Sequence, residues 1–454
     1  MSAIQTAGIE QRSGGVVGRF VFAKVEAWVV LIVVLLAFLG TIAFGALVVD
    51  QIKGKQRFGA LGEIALTMAE IPETARVLLK EDTAMMAFNR RRFEGKSGWT
   101  PQIGTTAAQM DGYLLLSRYD GNESRHKVEL VDLRDLSVKY SWIPDASSLL
   151  DGARLESAIT DFTNWTTERF RYIHPLLLAD GSLIVKDHQS PLIKIDKCAK
   201  MVWRQDVDLF HHSTELSIDG KFWVPSRIEP STLGVTDEFS DDAVTLVNGD
   251  GEIELQQSIS QAMIDAGFMH LLFTAGHYHD DPVHLNDIQP VPGDGPFWKA
   301  GDLFLSMRHK SLVMLYRPTT REIVWLKQGP WMAQHDIDIV DDHTISVFSN
   351  NSYDFGKGGY VLNSSEVLFY DFEKDSVSSP FQAALREGDV KTLFEGLSER
   401  LPTGHILIEE ENSGRIVIYD SDGQLTAEFV NRAADGNIYR LGWSRYVDRE
   451  FGDS

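Results

Sequence analysis

Thirteen histidines are present, and eight of them lie between His211 and His335. Two fall at matching points of a repeat. HSTELSIDGKFWV, from His212, superposes without gaps on HDIDIVDDHTISV, from His335. Each stands just before a strand-like run. His284, in VHLNDIQPV, has an apolar residue four positions on and joins the same class, and Arg308 follows in LFLSMRHKS. A neutral imidazole is a nucleophile. A protonated imidazole or a guanidinium holds a tetrahedral oxyanion, and the planar fork of arginine matches two oxygens of a sulfate or phosphate. Moving such a group asks for positioning and charge stabilisation more than for covalent work. One histidine alone is most simply a hydrogen-bonded structural group. Three at equivalent positions beside an arginine point to chemistry. The H-x-H…H pattern of His277, His279 and His284 also admits a metal, because imidazole suits zinc, copper or nickel. No carboxylate or cysteine has an obvious place in that pattern, so no metal ligand and no cofactor are assigned.

The elements that must position these residues are strands. Six runs resemble one another: Met110–Ser117, Ala179–Asp187, Ile218–Pro225, Ala300–Met307, Val340–Phe348 and Pro402–Glu410. Each pairs a turn dipeptide with alternating or continuous apolar residues. A second strand follows in Leu192–Trp203, Leu312–Trp325 and Arg415–Phe429. The spacing averages about 59 residues, a period that fits a propeller of four-stranded blades with insertions. Six units predict six blades. The innermost strands of a propeller line its channel, so equivalent histidines from different blades would converge there. Helical spacing interrupts the strands only near Ser258–Ala266 and Phe381–Arg386.

The net charge is −22, and 43% of residues are hydrophobic. Such a balance excludes a disordered chain and opposes nucleic-acid binding, which needs a basic face. Cys198 is the single cysteine, so no internal disulfide supports the fold. Ala27–Val49 is a run of 23 residues without a charge. At 1.5 Å per residue it spans about 34 Å, enough for a bilayer core. It exceeds a signal-peptide core of about 7–15 residues and reads as an uncleaved anchor. Charges on its two flanks are too even to set orientation. Beyond it, Ala60–Met68 and Glu73–Leu79 have helical spacing, with Pro72 expected to break between them. The expected organisation is a tail over 1–26, a membrane helix over 27–49, a helical linker over 50–104 and an all-β propeller over 105–454.

Several motifs together resemble the bacterial arylsulfotransferases that work without a nucleotide sulfate donor. IDKCAKMVWRQDVDLFHHS (Ile195–Ser213) is similar to a D-x-x-G-x-x-x-W…H-H-D segment. DPVHLND (Asp281–Asp287) partly follows D-W-x-H-x-N. Ser306–Asp336 follows S-x-R…I-V-W…G-P-W…Q-H-D, and Leu401–Gly423 follows L-P-x-G-x-x-L-I…G-R-I…D-x-x-G. The likeness covers about residues 105–445. It implies a six-bladed β-propeller that takes a sulfuryl group from an aryl sulfate onto histidine and passes it to a phenol or another hydroxyl acceptor. Matched by motif, His335 would carry the sulfuryl group. His212 and His284 would bind its oxygens or act as acid and base. Arg308 would clamp the charge, and Asn286 would orient the same group. His211 is a secondary binding residue, which the repeat alignment sets outside the channel. Ser213 stands where the pattern has an acid, a change expected to loosen the neighbouring histidine. The resemblance also implies a single-pass protein of the bacterial inner membrane with its propeller in the periplasm. The competing expectation is a non-catalytic propeller subunit that docks on a membrane-protein complex or binds an extracellular ligand.

Overall fold

The computed structural model describes residues 26–52, 57–79, 87–88, 91–101, 110–154, 165–274, 278–354 and 358–449, with isolated positions between 155 and 164. His277 lies outside the described residues. The chain divides into two units, residues 1–81 and 82–454.

Among its described residues the first unit holds two helices, Ala27–Ile52 and Ala60–Leu79. Ala27–Gln51 has a mean hydropathy of 2.8 and is long and apolar enough to cross a membrane, a property a signal sequence shares. The second helix runs through Pro72, where a break was expected. A proline removes one bond from the helical ladder and strains one turn, and the helix continues past it here.

The second unit is all-β and propeller-like. Tyr113–Asp120, Arg125–Asp132 and Ser137–Trp142 form one antiparallel sheet, and the C-terminal strand Arg445–Val447 pairs onto its first strand. Chain ends from opposite sides of the sequence are thus joined in one sheet. Three further sheets follow the chain in simple meanders. One starts at Leu285–Pro290, one at Ile337–Ile339 and one at Leu397–Arg400. The last gains an outer fifth strand, Gly98–Pro101, from the stretch expected to be linker. The largest sheet has eight strands, from Leu176 to Ser258, and two short two-stranded pairs, Ala87–Phe88 with Ile438–Tyr439 and Ser352–Asp354 with Gly359–Val361, lie apart from these sheets. Six separate sheets were expected there and elsewhere. The difference arises because Met201–Phe210 is ten residues long, so Leu209 and Phe210 reach Arg227 and Ser226 of the following strand group.

Both faces of each central strand are buried, which explains the near-continuous apolar runs. Leu115 and Val128 pack with Val185 and Ile193. Leu114 and Leu116 point the other way, against Leu407 and Ile416. Ile184 and Leu192 meet Phe222 and Val224 across the two halves of the eight-stranded sheet. Further cores join Trp223 to Leu305, Phe304 to Ile345, and Phe348 to Ile408. Each such buried side chain contributes about 1.5–3 kcal/mol.

Polar staples link neighbouring strand groups near the site. The backbone N–H of Ile288 donates to Ser213 Oγ at 3.0 Å, that of Ile337 to Asp287 Oδ2 at 2.9 Å, and that of Ser398 to Asp336 Oδ2 at 2.9 Å. The N–H of Thr214 donates to His174 Nδ1 at 3.3 Å. Ser213 therefore fills a stapling position that aspartate occupies in the next two groups. Its change from an acid touches the joint between sheets, not the orientation of His212 as expected.

Candidate active site

His212 and His284 sit where the chain turns into a first strand, and both have left-handed backbones, with φ of 53° and 52°. Left-handed backbone is costly for a residue with a Cβ and collects at functional positions. Together with His188, His211, Arg308, His335 and Glu395 they line a cavity of about 300 Å³. The His212 ring lies 4.4 Å from His188, 5.1 Å from His211 and from His284, and 6.4 Å from His335, centre to centre. His211 is therefore inside the cluster, which corrects the alignment-based placing outside it. The reason is local: the turn at His212 swings the doublet so that both rings face inward, with their Nδ1 atoms 2.8 Å apart.

Neighbours set the tautomers. Asn350 Nδ2 donates to the carbonyls of Glu395 at 2.7 Å and Thr392 at 3.2 Å. Its Oδ1 must then accept from His335 Nδ1–H, at 2.7 Å. This leaves the lone pair of His335 on Nε2, where it accepts the backbone N–H of Glu395 at 3.0 Å. Asp281 holds His284 twice, through the backbone N–H at 3.1 Å and through Nδ1 at 2.5 Å. His211 Nε2 faces Asp242 Oδ1 at 3.5 Å. No described residue makes a hydrogen bond to Nε2 of His212 or His284.

Burial, helped by the charge of Arg308, holds His335 well below the usual imidazole value. Burial and the surrounding histidines do the same to His212. Burial brings His188 down to about 3, although Glu395 opposes the shift. His188, His212 and His335 are thus neutral at neutral pH, the state in which imidazole is a nucleophile.

Arg308 differs from Arg171 and Arg440, which pair with Glu395. Its side chain makes no hydrogen bond or ion pair among the described residues, and its Nε is buried without a partner. Its backbone N–H bonds the carbonyl of His284 at 3.1 Å, which ties it to that histidine. The guanidinium borders both the histidine cavity and a larger neighbouring chamber of about 780 Å³. A half-buried cation that no side chain contacts directly is costly, and an anion that reached it would offset that cost.

The arylsulfotransferase (ASST) family model matches residues 174–432, more than half of the chain and most of the strands that carry these side chains. The chain belongs to the arylsulfotransferase family. No curated protein matches it. Among solved structures, this arylsulfotransferase-family chain is similar to a protein of unknown function from Bacteroides caccae, at 11% identity over 74% of this chain and 99% of that one, with a TM-score of 0.45. It is also similar to virginiamycin B lyase from Staphylococcus aureus, at 11% identity over 57% and 70%, with a TM-score of 0.33. The Pan2 WD40 domain of Neurospora crassa matches at 10% identity over 79% and 97%, with a TM-score of 0.38. At these scores none bears on the function of this family member.

The structure brings together five of the six residues singled out in the sequence: His211, His212, His284, Arg308 and His335. Asn286 is fully buried outside the cavity wall, where its Nδ2 donates to the carbonyl of Gln334, the neighbour of His335. Several partners escaped the sequence reading. Asp281 stands in a quoted motif, three residues before His284, and that spacing was its signal. Asn350 sits in an N-x-S sequon that turn loops supply by chance, yet it is buried on His335. Glu395 had no signal. It is held by Arg171 at 3.1 Å, Arg440 at 2.7 Å and His188 at 2.9 Å, residues 45 to 224 positions away.

Proposed function

We propose that this arylsulfotransferase-family chain moves a sulfuryl group from an aryl sulfate to a phenol or another hydroxyl acceptor through a sulfohistidine on His335. The observation that carries the reading is Arg308: a half-buried guanidinium with no direct partner among the described residues, beside neutral histidines, suits the oxygens of a sulfuryl group. In the first half-reaction the Nε2 lone pair of His335 attacks sulfur. The bond from sulfur to the aryl oxygen breaks, and the leaving oxygen takes a proton from His284, which Asp281 holds. In the second, the acceptor hydroxyl returns a proton to His284 and attacks sulfur, and the N–S bond gives its electron pair back to His335. His212 and Arg308 hold the oxygens throughout. Attack requires Nε2 to release the N–H of Glu395, so the Phe394–Gly396 turn must shift as the donor enters. One observation favours a second nucleophile: Nε2 of His212 borders the cavity and is bonded by no described residue. Transfer of sulfuryl from a chromogenic aryl sulfate to a phenol by the full chain in detergent, with no nucleotide added, tests the reading. A folded protein with no turnover would favour the non-catalytic subunit.

The same reading has a pH consequence. The reactive form of His335 is neutral, and burial lowers its pKa. The acid limb of kcat/KM is therefore expected below 6.5, the ordinary histidine value. A limb centred at or above that value would mean an ordinary solvated histidine limits the reaction.

The six packed cores between strand groups support a six-bladed propeller, with the eight-stranded sheet counted as two blades joined by two residue pairs. The helix Ala27–Ile52 is apolar all round and uncovered by protein, which supports a membrane anchor, and the family resemblance is what points to the inner membrane with the propeller in the periplasm. Cys198 provides a direct test, because it is the single cysteine and is exposed. A membrane-impermeant maleimide is expected to label it in intact spheroplasts. Labelling only after lysis would put the propeller in the cytoplasm.

A further inference from the structure

The sequence offered histidines for a metal but no carboxylate. The fold supplies one. Asp281, His284 and His309 each bring one ligand atom within 4.8 Å of the others. Asp281 Oδ2 is 2.5 Å from His284 Nδ1 and 3.8 Å from His309 Nδ1. Donor atoms around a four-coordinate ion with bonds of about 2.0–2.1 Å lie about 3.3 Å apart, so the two distances bracket what such an ion needs. The two imidazoles stack at 4.2 Å, which brings their donor edges to the same carboxylate. Among the described residues no lysine or arginine forms an ion pair with Asp281, and its partners at that range are the two histidines. Asp281 and His309 border the 780 Å³ chamber, with His279 on the same wall, so one side of the triplet is open.

We infer that Asp281, His284 and His309 form a binding site for a single transition-metal dication such as Zn²⁺, with its remaining positions open to the outer chamber. Two imidazoles and one carboxylate favour zinc or its first-row neighbours over the hard cations calcium and magnesium. The metal-free arrangement is a hydrogen-bond network, in which His309 Nδ1–H donates to the carbonyl of Asp281 at 2.7 Å. The two states exclude each other, because both ring nitrogens must lose their protons to bind an ion. The site stands on this geometry and not on the sulfuryl-transfer reading, in which the metal-free Asp281–His284 pair moves the proton.

The test uses the full chain in detergent, stripped by a chelator and dialysed against Zn²⁺, with Co²⁺ as a visible probe. Saturable uptake of one ion per chain is expected, with a Co²⁺ absorption band of a low-coordinate nitrogen and oxygen site. Asp281→Asn and His309→Ala should each weaken binding at least about tenfold. The His309 side chain is more than one-third exposed, so its loss threatens folding least. The exposed triplet Asp341, Asp342 and His343 is the control, and His343→Ala should leave uptake unchanged. Uptake that is not saturable, that survives both substitutions, or that is lost with His343→Ala overturns the inference.

Discussion

Replacing His335 with alanine is expected to lower sulfuryl transfer by about 10³- to 10⁶-fold, the range seen when a nucleophile is removed from a working constellation. The expectation rests on a chain of hydrogen bonds. Thr392 and Glu395 carbonyls fix the Asn350 amide, Asn350 fixes the proton on Nδ1, and Nε2 keeps the lone pair. Substitution leaves the N–H of Glu395 without its acceptor, a loss of about 1–3 kcal/mol that the large strand cores absorb. The decisive readout is the intermediate. Incubated with donor alone, the wild-type chain should carry one sulfuryl group on the peptide that holds His335. A modified peptide holding His212 would transfer the nucleophile to that residue and leave the family reaction intact. Neither peptide modified, with turnover present, would remove the sulfohistidine altogether.

Arg308→Ala is expected to reduce kcat/KM by about 10²–10³-fold, as for loss of one oxyanion donor. Arg308→Lys should recover only part of this, because an ammonium lacks the planar fork. Stability should move the other way. Arg308 has no partner to lose among the described residues, and its removal relieves the desolvation of an unpaired charge. The melting temperature should hold or rise while activity falls. A structural arginine would behave in reverse, losing stability with activity largely kept. A sulfate analogue should also protect the wild-type chain from unfolding more than it protects Arg308→Ala.

The alternating runs made the strands legible, because a strand buried on both faces must be apolar at successive residues. The turn dipeptides marked where each strand begins, and all six runs became strands after such turns. The helix at Ile259–Asp265 was visible too, since Ser258 is a good cap and its Oγ accepts the N–H of Gln261 at 3.0 Å. Sheet boundaries were less legible. The two pairs that join Phe210 and Leu209 to the next strand group depend on strand length and twist, which periodicity does not encode. The fifth strand at Gly98–Pro101 was hidden for a different reason: GWTP has no alternation of its own and pairs with residues over 320 positions later.

The sequence by itself determined the residue types for chemistry and, through the repeat, which strands would carry them. His212 and His335 superpose in the repeat, and strands of a closed array converge, so a histidine cluster followed from one dimension. What only tertiary structure decided is which atom of each histidine is available and which charges are left unpaired. Asn350 and Glu395 orient His335 from 15 and 60 residues away. Arg171 and Arg440 neutralise Glu395 from remote loops, which leaves Arg308 with no direct partner among the described residues and able to meet an anion. Tautomer and charge balance depend on distances of about 3 Å, beyond which a hydrogen bond is lost. Such distances between remote residues exist only once the sheets have closed on one another.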